Sequence, residues 1–325
     1  MRIDSLTYFS TSLAGIRDNQ ASIARLNEQI ATGMRLLAPK DDPLDTEKVL
    51  QLSNRVATRS QHAANQDRAE ITLKYEQTVV QELQKSLKDA RALLAISPSS
   101  SQELRNIHAE QLKGTFNHIL GLLNTRDPGG NYIFAGYQTD DTPFANDSLT
   151  TGTIAATTYN GGAASTPGAD EFRQIEIEEG RTVQVNDNLS TVFMYTDASF
   201  SDPANEDDGG VLAEHDLLEN LAHAITNLPT NTITVDEINR YATLIDGTLR
   251  RLALVEHRIA GAMSEVLDAR GTTKALLLQE KNALSDIQQV DQAAAIMELK
   301  LRQTTLEAAS QAYAQTSGLS LFNYL

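Results

Sequence analysis

The chain is predicted to be mainly α-helical, with a β-rich insert in its middle and coiled-coil seams near both ends. Three observations carry this reading. Apolar residues recur at alternating spacings of four and three toward each terminus. Residues 131–210 break instead into short alternating runs punctuated by turn residues. Aromatic residues make up only 5% of the 325 positions and Trp is absent. A chain rich in Ala, Leu and Gln favours long thin helical cores over wide ones. The expected architecture is elongated, a helical bundle joined to a coiled coil that the N- and C-terminal segments form together.

The first seam is Phe9, Leu13, Ile16, Gln20, Ile23, Asn27, Ile30, Met34 and Leu37. Its polar members, Gln20 and Asn27, are expected to set register. Gly33 and Pro39 end it. The stretch KDDPLDTE starts a second helix, with Asp42 as cap, Pro43 in the first helical position, and Asp45 and Glu47 complementing the dipole. That helix should reach about Ile96, with Leu73, Val80, Leu87 and Leu94 recurring every seven residues. SPSSSQEL supplies a turn and a capping box from Ser100 to Glu103. A third helix, with Leu104, Ile107, Leu112, Phe116, Ile119 and Leu123, stops at RDPGG.

Within the insert, TTYNGG offers an Asn160–Gly161 turn, and EFRQIEIEEGRTVQVND reads as a hairpin turning at Glu179–Gly180. Helix should resume near Val211, break at NLPTNT, and restart at a capping box from Thr234 to Glu237. One very long helix is expected from there through Ile245, Leu252, Ile259 and Val266, extending the seam to Ile287, Val290, Ala294, Met297 and Leu301. Three parts follow. Residues 1–40 with 287–325 form a terminal coiled coil, 41–130 with 211–286 a helical bundle, and 131–210 an outer β-rich insert.

The chemistry is mostly exclusion. A net charge of −16 argues against nucleic acid, which needs clustered Lys and Arg. No polybasic segment points to an anionic membrane, and no stretch approaches the roughly 20 apolar residues of a span. Without cysteine there are no disulfides or thiolate metal sites. MRIDSLTYFS lacks the apolar core of a secretory signal, so an extracellular chain would leave without a cleaved one. The six histidines, His62, His108, His118, His215, His223 and His257, show no metal-binding spacing and read as solvated or incidental. The acidic loop Ser201–Gly210 lacks the ligand pattern of a calcium loop. DDPLD is explained as a helix start. No nucleophile elbow, phosphate loop or dinucleotide fingerprint is present, so no enzyme activity, cofactor or metal is expected.

The seams are therefore the informative feature. The inner stripes serve the chain's own bundle, whereas the terminal ones are expected to face neighbours. The expected assembly interface is Leu6, Phe9, Leu13, Ile16, Ile23, Ile30, Ile287, Val290, Met297, Leu301, Leu319, Leu321, Phe322 and Leu325. The closing stretch TSGLSLFNYL shows why. Full burial of its five large apolar side chains would gain on the order of 10 kcal/mol. Ordering ten residues costs about as much. One partner helix covers only part of that surface, so the tail is expected to order on assembly.

MRI at the start, then LNEQIATGMRLLAPKDDP, LLNTRDPGGNYIFAGYQTDDTPF and the final LSLFNYL resemble the flagellin superfamily, and within it the hook–filament junction branch. Thr32 stands where Ser is commoner, but Pro43 after the Asp pair, YIFAGYQTDDTPF and FNYL fit that branch better than flagellin itself. Residues from about Leu149 to Thr226 lie outside the resemblance. It implies a structural role on the extracellular flagellum and a ring of self-assembled subunits. The implied partners are a hook-side junction protein, flagellin, a cytoplasmic export chaperone and the flagellar type III export apparatus. Two other readings stay open. One is flagellin, the filament subunit; the other is a non-flagellar coiled-coil adaptor, which would not need apolar residues at both ends.

Overall fold

The computed structural model of the protein describes residues 2–96, 100–127, 129–136, 142–145, 158–159, 172–195, 215–230 and 233–322. Among these, the elements run α1 (Arg2–Thr32), α2 (Pro43–Leu94), α3 (Gln102–Leu123), β1 (Phe144–Ala145), β2 (Thr158–Tyr159), β3 (Gln174–Glu178), β4 (Arg181–Gln184), α4 (Ser190–Phe193), β5 (Met194–Tyr195), β6 (His215–Asp216), α5 (Leu217–Asn227), α6 (Val235–Gln288) and α7 (Gln292–Phe322). Helix dominates, and the strands form three two-stranded antiparallel pairs, β1–β2, β3–β4 and β5–β6. The expected fold class, mainly α with a small sheet insert, is what the chain adopts.

The helix starts follow local chemistry. At α2 the Asp42 carboxylate accepts from the Asp45 amide at 3.1 Å, filling an orphan donor beside Pro43. At α6 the box is reciprocal. Thr234 Oγ1 accepts from the Glu237 amide at 3.2 Å, and Glu237 Oε2 accepts from the Thr234 amide at 2.7 Å. At α3 the expected box is displaced by one residue, because Ser101 and not Ser100 caps, accepting from the Leu104 amide. The described helix after the insert starts at Leu217 with Asp216 as the cap, while Val211, the expected start, lies outside the described residues. The long C-terminal helix is two helices. Asp291 interrupts it and caps α7, its side chain accepting from the Ala294 amide at 3.0 Å. The Asn160–Gly161 turn, Pro128 and the Ser201–Gly210 loop lie outside the described residues.

The chain divides into two compact units, one of Met1–Ser60 with Lys274–Leu325 and one of Gln61–Thr273. The second unit holds the apolar core. In it α2 and α6 run antiparallel, shown by Gln66 bonding Thr273, Glu70 pairing with Arg270, and Arg91 pairing with Asp246. Leu73, Val80, Leu87 and Leu94 are fully buried, as are Ile245, Leu252, Ile259 and Val266, so both heptad stripes serve this core. Leu112, Phe116, Ile119 and Leu123 from α3 and Leu218 and Leu221 from α5 complete it. Each such side chain contributes roughly 1.5–3 kcal/mol by leaving water.

The β segments pack onto the same core. Phe144 packs tilted against Tyr159 at 5.1 Å and meets Phe193 edge-on at 6.2 Å. The β3–β4 hairpin turns at Gly180, whose φ of +72° suits glycine. A bulge lies between Glu176 and Glu178. Main-chain carbonyls tie this hairpin to α2. Gln66 donates to Ile177 O at 2.7 Å and Asn65 donates to Glu176 O at 2.8 Å.

Candidate assembly surface

In the terminal unit, α1 packs along α7. The inward side of α1 is Ser12, Ile16, Asn19, Ile23, Leu26 and Ile30. The inward side of α7 is Ala295, Leu299, Arg302, Leu306, Ala309 and Tyr313. Both sets alternate in steps of four and three, the spacing of a coiled-coil seam. The seam is thin, because Leu26 and Ala295 are the only described apolar side chains of this unit that are buried. Asn19 is buried within it and accepts from Arg302 at 3.4 Å, a polar pair that fixes register.

Beyond this pair the chain turns twice at one corner. Gly33, with φ +71°, ends α1. Met34 then pairs with Gln289 as an antiparallel bridge. Arg35 N donates to Gln288 O at 2.7 Å, and Val290 N donates to Gly33 O at 3.0 Å. The Arg35 guanidinium donates to Ile287 O through Nε at 3.3 Å and Nη2 at 3.2 Å. It also pairs with Asp45 and approaches Asp42. The hydrogen bond from Arg35, and then that from Lys48, holds the Asp45 carboxyl below its ordinary value. Nearby, Arg55 and Arg59, one turn apart on α2, both grip the buried Glu280 of α6 at 2.7 and 2.8 Å. An open cleft of about 570 Å³ lies at this corner, lined by Gly33, Met34, Lys281, Leu284, Gln288 and Val290 among others.

The expected interface residues fall into three sets. Ile16, Ile23 and Ile30 are half-buried on the α7-facing side of α1, while Ile287 and Val290 are half-buried at the corner. Leu13, Met297 and Leu301 point away from the pair and are 38%, 69% and 65% exposed. Leu6 and Phe9 lie on α1 and Leu319, Leu321 and Phe322 on α7, with side chains outside the described residues, as is Leu325 altogether. Gln20 and Asn27, expected as the polar seam positions, are exposed. The seam instead uses their neighbours Asn19 and Leu26. Leu44, Leu50, Leu278 and Ile296 add to the exposed apolar surface of the terminal unit.

Among the described residues, no three His, Asp or Glu side chains gather as a metal site. Not every histidine is incidental, however. His223 Nδ1 lies 2.6 Å from the Tyr241 hydroxyl, and His108 Nδ1 lies 2.9 Å from Leu93 O. Burial pushes the Tyr241 hydroxyl up to about 12, so it stays protonated and bonds the ring. No described helix is long and apolar enough to cross a membrane.

The terminal unit is thus a helical pair made from the two ends of one chain, with apolar side chains left outward. Residues 3–139 match the family described as the bacterial flagellin N-terminal helical region. Along 99% of its length it is similar to the flagellar hook-associated protein 3 of Escherichia coli K12 and to that of Salmonella typhimurium LT2. Each is 27% identical, with 99% of the relative covered. Its fold is similar to that of the flagellar hook-associated protein 3 of Legionella pneumophila. The TM-score is 0.58 at 16% identity, over 74% of this chain and 98% of that one.

Proposed function

We propose that the chain is a structural subunit of the bacterial flagellum that joins hook to filament by self-assembly through its terminal helices. The likeness to hook-associated protein 3 along nearly the whole chain carries this reading. The apolar surface left outward on the terminal unit supports it, since exposed apolar patches of this kind mark interaction sites. The assembly part is residues 1–40 with 287–325, the bundle 41–130 with 211–286, and the outer insert 131–210. Copies of the chain form a ring whose neighbours cover Leu13, Met297 and Leu301. The ring sits between a hook-side junction protein and flagellin, outside the cell. A cytoplasmic chaperone and the type III export apparatus deliver the chain there. No catalysis is part of this role.

Leu301→Asp tests it. Leu301 faces away from α1, so the isolated chain should fold as before. In the assembly the carboxylate would be buried unpaired, at several kcal/mol per subunit. Cells should keep hooks, shed flagellin into the medium and fail to swim. Normal swimming with full-length filaments would show that this surface is not the interface. The flagellin reading is separated by deleting the gene. A junction subunit leaves flagellin secreted but unpolymerised, whereas a filament subunit leaves no flagellin.

A further inference from the structure

A buried charge cluster lies in the second unit. It joins three segments distant in sequence. Glu76 of α2 is fully buried, and its Oε1 accepts from the Asp187 amide at 2.7 Å. Asp187, just after β4, is also buried and receives Nε of Arg258 from α6 at 3.0 Å, with Nη2 on the same oxygen. Gln184 Nε2 donates to the other Asp187 oxygen at 3.1 Å. Arg258 therefore directs its fork at Asp187. Its Nη2 lies 3.6 Å from Glu76 Oε2, too far for a hydrogen bond, and Oε2 has no donor. Arg173, just before β3, has buried Nε and Nη2 atoms without hydrogen-bond partners. Two buried carboxyl groups thus share the half-buried Arg258 and Arg173, yet only Asp187 receives a full set of donors.

A buried carboxylate with a single main-chain donor is costly, whereas the neutral acid is not. The groups acting on Glu76 are Asp187 and Arg173 from the β segment and Arg258 from α6. Glu76 is the group α2 contributes. Burial raises Glu76 well above its ordinary value of 4.5, and the Asp187 charge raises it further, against Arg258 and Arg173. Burial raises Asp187 as well, opposed by Arg258. Elsewhere the hairpin is held by the amide bonds to Ile177 O and Glu176 O and by the exposed Arg181–Glu265 pair. The cluster is the buried point of attachment that a proton can alter.

We propose that Glu76, Asp187 and Arg258 form a protonation-controlled clasp that keeps residues 173–187 docked on α2 and α6 while Glu76 carries a proton. The docked state binds one proton more than the undocked state. Docking is therefore firmest below about pH 4.5, the ordinary value. It weakens as pH rises toward the raised value of the docked group, and levels off beyond it. Ionised, Glu76 places a second negative charge beside Asp187, and release of the segment lets water reach both.

Hydrogen exchange on the full chain reads this directly, as protection factors corrected for the intrinsic pH dependence of exchange. From about pH 5 to about pH 8, protection of amides 173–187 in the wild-type chain should fall by up to tenfold per pH unit. Amides at Leu83 and Leu112 in the helical core should hold steady. Glu76→Gln keeps an acceptor for the Asp187 amide but cannot ionise, so its profile should be flat. A flat wild-type profile overturns the proposal. So does an equal fall in Glu76→Gln, or a parallel fall at Leu83 and Leu112, which would be global opening. If Glu76→Gln does not fold, an NMR titration of the Glu76 carboxyl in the wild-type chain decides. A midpoint well above 4.5 that tracks the loss of protection supports the clasp. A midpoint at the ordinary value overturns it.

Discussion

Arg35 carries more of the corner than any apolar residue near it. Its main chain and guanidinium together bond Gln288 O and Ile287 O, and its charge meets Asp45 at the start of α2. Arg35→Ala removes the side-chain bonds and leaves the amide. A half-exposed charged hydrogen-bond set of this kind is worth about 1 kcal/mol. Exchange at the Arg35 and Val290 amides should quicken about fivefold, with the unfolding of the second unit unchanged. Acid should act on the same contact. Asp45 is held below 3.8, first by Arg35 and then by Lys48. Its pairing therefore stabilises the corner above that pH and is lost as pH falls through the lowered value. In Asp45→Asn, the corner amides should lose that acid response. Arg35 was visible in the sequence only as part of GMRLL, since its partners at 287 and 288 are far along the chain.

At the scale of elements, caps and seams differ in how readily sequence displays them. The Thr234–Glu237 box is read directly, because both partners lie in one short segment. In SPSSSQEL three serines compete, and spacing to Glu103 favours Ser100, yet Ser101 has the capping geometry. Ser101→Ala should cost about 1 kcal/mol of stability in denaturant unfolding and Ser100→Ala less than about 0.5 kcal/mol. Equal costs would show that the cap is shared. The α1 seam is harder. Four–three spacing from the apolar residues selects Leu13, Gln20 and Asn27, but the helix turns Ser12, Asn19 and Leu26 toward α7. Ser12 and Asn19 are polar, so no hydrophobic pattern marks them, and neighbouring phases of a heptad differ by one residue. Ile23, expected to face a neighbouring subunit, is half-buried beside this seam. Ile23→Asp should therefore disturb the monomer as well as any assembly, which makes Leu301 the cleaner probe.

Across the whole molecule, apolar burial is distributed very unevenly. Apart from Leu26 and Ala295, the buried apolar side chains described here lie in residues 61–273. The heptads at 73–94 and 245–266 made that core legible, since continuous apolar stripes on long helices need a partner. The clasp at Glu76 was not legible, because charged residues in a helical pattern read as surface. The uneven burial sets a test of independence. A chain trimmed to residues 41–288 removes α1 and α7 but keeps the paired Arg59 and Glu280 and the entire core of the second unit. It should unfold cooperatively, within about 2 kcal/mol of the full chain, because ordering the terminal pair gains little on its own. Limited proteolysis of the full chain should converge on a similar fragment, cutting in α1 and α7 first. A trimmed chain that unfolds or aggregates would mean that the terminal helices stabilise the core directly. Uniform protease resistance along α7 in dilute solution would mean that α1 alone suffices to cover it, leaving no need for a neighbour.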